Sequence, residues 1–179
     1  MSFKPDRAVV LELASCLQML KPDDEAMLLW LNTLASGDYA FGYGLLRSDA
    51  DAYDPFGVLV DLNGGEWAWD DQDEAWAFAG SAVTMNPVHM ARWLGMQSDL
   101  VWARNFNDAV TRLADSSDGF LPVVAALRQA LEAAKAARER LGDAYRLAHT
   151  GGLRDGPHMS GAAAGQMIQR YDRKPFYGR

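Results

Sequence analysis

The 179 residues are enough for one compact domain, and a content of 49% apolar and 23% charged residues excludes wholesale disorder, a collagen-like repeat and a disulfide-rich scaffold. Five basic and two acidic side chains fall in residues 151–179, so the net charge of −7 divides into +3 there and −10 over residues 1–150. A body of that charge disfavours sequence-independent binding of nucleic acid, and the single cysteine, Cys16, excludes an intrachain disulfide.

Two amphipathic helices are predicted at the start of the chain. The first runs from Asp6 to Leu20, and Lys21-Pro22 ends it. Its apolar stripe consists of Val9, Leu13, Cys16, Leu17 and Leu20. Asp23 or Asp24 caps the second helix, and Gly37 supplies its end because glycine tolerates positive φ.

The next stretch carries weaker signals. Tyr39, Phe41 and Tyr43 alternate with small residues, which indicates a short strand or irregular structure. Residues 55–62 read either as a buried strand or as a short helix with proline in its first turn, and we favour the helix.

An aromatic β-hairpin is predicted near residues 66–79. Trp67 and Trp69 occupy every second position of one strand and so share one face of it, as do Trp76 and Phe78 on the other strand. An acidic turn lies between the two strands. An isolated hairpin is marginally stable, so we expect this one to lie against the helices.

Three further helical segments follow. Asn86-Pro87 begins a short helix that Gly95 ends, and residues 99–114 are expected to be helical in part, with a turn at 105–108. A long helix is predicted from Phe120 to about His149, because its middle is rich in strong helix formers.

These elements predict an α+β fold: a predominantly helical single domain over residues 1–149, with one small aromatic hairpin. Residues 150–179 form a glycine-rich, basic C-terminal arm in this prediction. Charged residues interrupt the first twenty positions, and no apolar run approaches the roughly 20 residues that cross a bilayer. We therefore expect a cytoplasmic protein that has no membrane partner.

Three patches between Met27 and Ala125 resemble a family of small hypothetical proteins of bacteriophage and bacterial genomes. The matching residues are Trp30-Leu31, Leu34, Ser36-Gly37, Tyr39, Gly42, Leu45, Tyr53, Phe56-Gly57-Val58-Leu59, Asp61-Leu62, Asn86-Pro87-Val88, Ala91-Arg92-Trp93-Leu94-Gly95-Met96 and Asn107-Asp108. Where the family has paired cysteines this chain has Asp54-Pro55, and it has Val60 in place of a third. The resemblance implies a phage or prophage origin and implies no particular activity.

No catalytic or metal signature is present, so we expect no catalytic residue, no metal site and no cofactor. Cysteine and histidine are the residue types that bind zinc most often. This chain has four of them, Cys16, His89, His149 and His158, and they are remote from one another in sequence. The acidic residues 70–74 lack the glycine and the terminal glutamate of a calcium loop. An enzyme remains an alternative, with a dispersed site built from His89, Asp61, Asn107 and Asp108.

Two groups of residues are candidates for binding a partner. Trp67, Trp69 and Trp76 form an aromatic patch beside an acidic turn, although tryptophans in so small a domain also serve as core. The arm alternates cations with aromatic rings, which suits an acidic, apolar groove, although a solubilising tail is the alternative. Its candidate contact residues are Arg170, Tyr171, Arg173, Lys174, Phe176 and Tyr177.

The functional hypothesis is a non-catalytic, phage-encoded protein that binds another protein. It acts either as a host-directed accessory or anti-defence factor or as a virion component whose arm ties subunits together. The expected partner is a host or virion protein, and a second copy of this chain is the alternative partner for the arm.

Overall fold

The computed structural model describes residues 5–151, and of the last helix it describes side chains as far as residue 148. The chain divides into two units, Met1–Arg138 and Glu139–Arg179, with the boundary inside the last helix. The described residues form six helices and five short strands, which confirms the α+β fold class. The C-terminal arm lies outside the described residues, apart from the end of that helix.

The first two helices follow the capping signals. Helix α1 spans Arg7–Leu20, and the Asp6 carboxylate accepts a hydrogen bond from the Ala8 N–H at 2.8 Å. Helix α2 spans Asp24–Ala35, and the Asp23 carboxylate accepts one from the Ala26 N–H at 2.9 Å. Each carboxylate satisfies a backbone donor that has no partner inside its helix, so both predicted starts are confirmed.

The remaining helices are α3 (Pro55–Leu62), α4 (Pro87–Trp93), α5 (Leu100–Asp115) and α6 (Phe120–Gly151). The favoured helix over 55–62 is confirmed, since Asp54 caps α3 and Pro55 occupies its first turn. The expected turn at 105–108 is wrong, because α5 is continuous there. Asn107 lies within that helix, and its amide donates to the Met85 carbonyl at 2.6 Å instead of breaking the helix.

The sheet is larger than the predicted hairpin. Its strands are β1 (Ala40–Phe41), β2 (Arg47–Ser48), β3 (Ala52–Tyr53), β4 (Trp67–Asp70) and β5 (Ala75–Phe78). Their order is β1-β3-β2-β5-β4, with β1 and β3 parallel and the other pairs antiparallel. The hairpin is β4 and β5, and three two-residue strands extend it across the residues that follow α2.

The main core joins the helices to one side of this sheet. Trp30 on α2 is fully buried, stacks on Phe56 with 5.6 Å between ring centroids, and donates its indole N–H to the Pro55 carbonyl at 2.8 Å. Helix α1 packs mainly on α5, and α2 packs on α3. Trp67 and Phe78 of the hairpin also pack against this core, so the hairpin lies on the helices as expected.

Candidate functional site

The strand register places five side chains in one line across the sheet. Phe41 is opposite Tyr53, Tyr53 is opposite Arg47, Arg47 is opposite Trp76, and Trp76 is opposite Trp69. Residues directly opposite on neighbouring strands project from the same face. We call Phe41, Tyr53, Arg47, Trp76 and Trp69 the aromatic row; it holds one cation among four rings.

The guanidinium of Arg47 is the centre of this row. It lies over three rings, 5.0 Å from the centroid of Trp76, 5.4 Å from that of Tyr53 and 5.6 Å from that of Trp67, which is cation–π range. Its Nε and Nη2 also donate to Asp51 Oδ1 at 2.9 and 2.8 Å. The ion pair and the rings hold the guanidinium from two directions, so contacts within the chain fix its position.

Asp61 organises the edge of the same cluster. Its Oδ2 accepts from the Tyr39 hydroxyl at 2.7 Å, and its Oδ1 accepts from the Trp67 indole N–H at 3.3 Å. Burial, and then the hydrogen bond to Asp61, raise the pKa of Tyr39 to about 12, and burial raises the pKa of Tyr53. Both phenols therefore remain protonated at neutral pH, and the Tyr39 hydroxyl donates its proton to the hydrogen bond with Asp61.

Exposure increases toward the free end of the hairpin. Trp67 is half-buried against the core, Trp76 is half-buried, and Trp69 is 46% exposed. Trp69 and Trp76 meet edge to face with 5.5 Å between ring centroids. The sequence left open whether these tryptophans form core or surface, and the structure places Trp67 at the core boundary and Trp69 on the surface.

The opposite face of the hairpin explains why the tryptophans point as they do. Ala75 and Ala77 are buried there in a small cluster with Ala82, and Leu45 packs against it. Because side chains alternate along a strand, burying these two alanines directs Trp76 to the other face. The hairpin therefore carries small, buried residues on one face and its large aromatic rings on the other.

Carboxylates surround the exposed end of the row. The four residues Asp71–Glu74 of the hairpin turn are exposed, as are Asp49 and Asp51 beside Arg47. Nine acidic residues and no lysine or arginine fall between Asp49 and Glu74. Over residues 5–151 no group of three or more His, Cys, Asp or Glu side chains could hold a metal ion.

The other candidate residues have different positions. His89 packs between Phe78 and Trp93, at 5.3 and 5.8 Å between ring centroids, and its Nδ1 is buried without a hydrogen-bond partner. Asn107 is buried and tied to Met85, whereas Asp108 is exposed. No hydrogen bond or ion pair in the described part of the chain joins any two of the four residues named for a dispersed active site.

The arm residues named as partner contacts, Arg170, Tyr171, Arg173, Lys174, Phe176 and Tyr177, lie outside the described residues. The sequence patterns do not identify four further members of the site: Arg47, Asp51, Tyr39 and Tyr53. One signal was available, since Arg47 is the last cation before the acidic stretch, but only the strand register places it among the rings.

The chain matches no protein-family model, no curated protein and no solved structure. Among the described residues no helix is both long and apolar enough to cross a membrane.

Proposed function

We propose that this chain is a non-catalytic protein-interaction protein, and that the exposed end of the aromatic row is its contact surface. The observation that carries the proposal is the arrangement of Trp69, Trp76 and Arg47, a partly exposed aromatic pair beside a cation that is already fixed. Tryptophan, tyrosine and arginine are the residue types that contribute most to protein–protein binding energy. A fixed surface also loses little conformational entropy on binding.

The charge around the row selects the chemistry of the partner. The carboxylates of the hairpin turn and of Asp49 and Asp51 attract a basic protein segment and repel phosphate groups. Arginine or lysine side chains of the partner would pair with these carboxylates and stack on the exposed face of Trp69. We therefore propose a basic, arginine- or lysine-rich segment of another protein as the partner.

The biological setting that fits the resemblance is a phage or prophage protein. In the first version it acts on a host protein as an accessory or anti-defence factor, and in the second it is a virion component. Stable association with a purified host complex supports the first version, and presence in purified particles supports the second.

Selection of peptides from a random displayed library against the full chain tests the proposed surface. We expect the enriched peptides to be rich in arginine and lysine. Trp69→Ser should weaken their binding at least about tenfold, as expected when a hot-spot ring is lost. Val101→Ser is the matched control, because Val101 is an exposed apolar residue of α5 outside the row.

Two results would contradict the proposal. One is enrichment of acidic peptides, and the other is equal binding by the Trp69→Ser and Val101→Ser variants. Because Trp69 is 46% exposed, its replacement should leave the fold intact, which circular dichroism of each variant checks.

A further inference from the structure

A second surface feature lies away from the aromatic row. An open cleft of about 450 Å³ runs between α5 and the segment that precedes α4. This volume lies within the range of small-molecule sites in proteins. Its polar lining is Thr84, Arg104, Asn107, Asp108, Thr111 and Arg112.

The two walls of the cleft are fixed to each other. Asn107 on α5 is only 6% exposed, and its side-chain amide donates to the Met85 carbonyl on the opposite wall at 2.6 Å. The Asn107 carbonyl oxygen accepts from the Thr111 hydroxyl at 3.4 Å. A buried amide that bonds across the floor sets the width of the cleft, so the cleft exists without a ligand.

Three charged side chains follow one another along this wall. Arg104, Asp108 and Arg112 are spaced four residues apart on α5, so they share one face of the helix in the order positive, negative, positive. Glu12 on α1 holds Arg112, with 2.5 Å between Glu12 Oε1 and Arg112 Nη2. Within residues 5–151 neither Arg104 nor Asp108 forms an ion pair, although their spacing would allow one.

We infer that this cleft binds a small dicarboxylate that carries a hydrogen-bond donor between its two carboxylates, such as an acidic amino acid. Each guanidinium receives one carboxylate through charge-assisted hydrogen bonds, Arg112 through the N–H groups that Glu12 does not engage, and Asp108 accepts from the ammonium or hydroxyl group between them. The hydroxyls of Thr84 and Thr111 lie along the same cleft as further hydrogen-bonding groups. The ligand then presents a carboxylate, a hydrogen-bond donor and a second carboxylate to Arg104, Asp108 and Arg112 in turn.

Calorimetric titration of the full chain with L-glutamate and with glutarate tests the inference. The two probes share a carbon chain and two carboxylates, and glutarate lacks the ammonium group. We expect saturable binding of L-glutamate and binding of glutarate weaker by about tenfold or more, because Asp108 then faces an anion without a donor.

Three variants assign the binding to this cleft. Arg104→Gln should weaken L-glutamate about tenfold or more, and Asp108→Asn should remove the preference for L-glutamate over glutarate. Arg128→Gln is the matched control, since Arg128 contacts Asn32 and does not line the cleft. Because Arg104 and Asp108 are both exposed, their replacement should not unfold the chain, which thermal denaturation verifies.

The inference is overturned if L-glutamate does not saturate the chain at concentrations up to about 10 mM. It is also overturned if glutarate binds as tightly as L-glutamate, or if Arg104→Gln and Arg128→Gln bind equally well. None of these results bears on the aromatic row, so the two proposals stand or fall separately.

Discussion

At the scale of single residues, Asp54 combines a capping role with deep burial. Its carboxylate accepts from the Gly57 N–H at 2.5 Å at the start of α3, yet the residue is only 4% exposed. Burial raises the pKa of Asp54 to about 8, although hydrogen bonds from the Gly57 and Phe56 N–H groups oppose the shift. Desolvation of the charged form thus outweighs the capping bonds.

This burial predicts a pH dependence of stability. The folded chain binds the Asp54 proton more tightly than the unfolded chain does, so the contribution of Asp54 to stability decreases as pH rises from 3.8 to about 8. The free energy of unfolding should therefore fall over that window by up to about 1.4 kcal/mol per pH unit from this group. Urea denaturation at several pH values measures this slope.

Asp54→Asn is the variant that isolates the effect, because asparagine is also a good N-cap and does not titrate. As pH rises from 3.8 to about 8, the unfolding free energy of the parent chain should fall relative to that of the Asp54→Asn chain. Parallel pH profiles for the two chains would show that Asp54 does not titrate as the structure implies.

At the scale of elements, the packing of α3 against the chain that enters β2 depends on a glycine. A Cβ atom built on Gly57 would lie 1.7 Å from the Leu46 carbonyl oxygen and 2.7 Å from its carbonyl carbon. The contact is with backbone, so a rotamer change cannot relieve it. Because Leu46 directly precedes Arg47, displacement of this segment would also disturb the aromatic row.

Gly57→Ala should therefore destabilise the fold by about 3 kcal/mol or more, in the range of severe steric and backbone defects. Gly142→Ala is the control: nothing lies within 4 Å of its added Cβ, and alanine is the better helix former. Thermal denaturation compares the variants. A Gly57→Ala chain that melts with the parent would contradict the close approach of α3 and Leu46.

The helices were predictable because their signals are local. Three helices begin directly after a residue that caps them: Asp6 caps α1, Asp23 caps α2, and Asn86 caps α4, whose first residue is Pro87. The structure confirms each of these predicted starts. The turn expected inside α5 failed for a non-local reason, since the partner of the Asn107 amide is the Met85 carbonyl, twenty-two residues earlier. Capping is visible in a sequence, whereas a tertiary hydrogen bond is not.

The sheet and the site were only partly predictable. The aromatic residues of the hairpin alternate over four residues on each strand, which is long enough to indicate strands. Strands β1, β2 and β3 have two residues each, and only β1 lies in an alternating stretch, which indicated a short strand or irregular structure. The position of Arg47 depends on pairing with Tyr53 and Trp76 at once. That pairing is a tertiary fact, so the central residue of the proposed surface was missed.

At the scale of the whole molecule, the distribution of charge supports the proposed function. Residues 1–150 carry a net charge of −10, and the acidic stretch from Asp49 to Glu74 adjoins the exposed end of the aromatic row. Under the proposed function, long-range attraction would bring a basic partner to this region, and the fixed rings would provide the short-range contacts. Association should accordingly weaken as salt screens the carboxylates.

The most direct test of the proposed contact surface is a titration of the full chain with a short peptide of alternating arginine and glycine. The NMR signals of the tryptophan indole N–H groups report the binding. The Trp69 and Trp76 signals should shift in a saturable way. Trp30 is the internal control, because it is fully buried and bonded to the Pro55 carbonyl. A matched peptide with glutamate in place of arginine should shift none of them.

The predicted result is a saturable shift confined to the tryptophans of the row and its immediate neighbour Trp67. Equal shifts with the glutamate peptide, or no shift of Trp69 and Trp76 with the arginine peptide, would contradict the assignment of the aromatic row as a surface for basic protein segments.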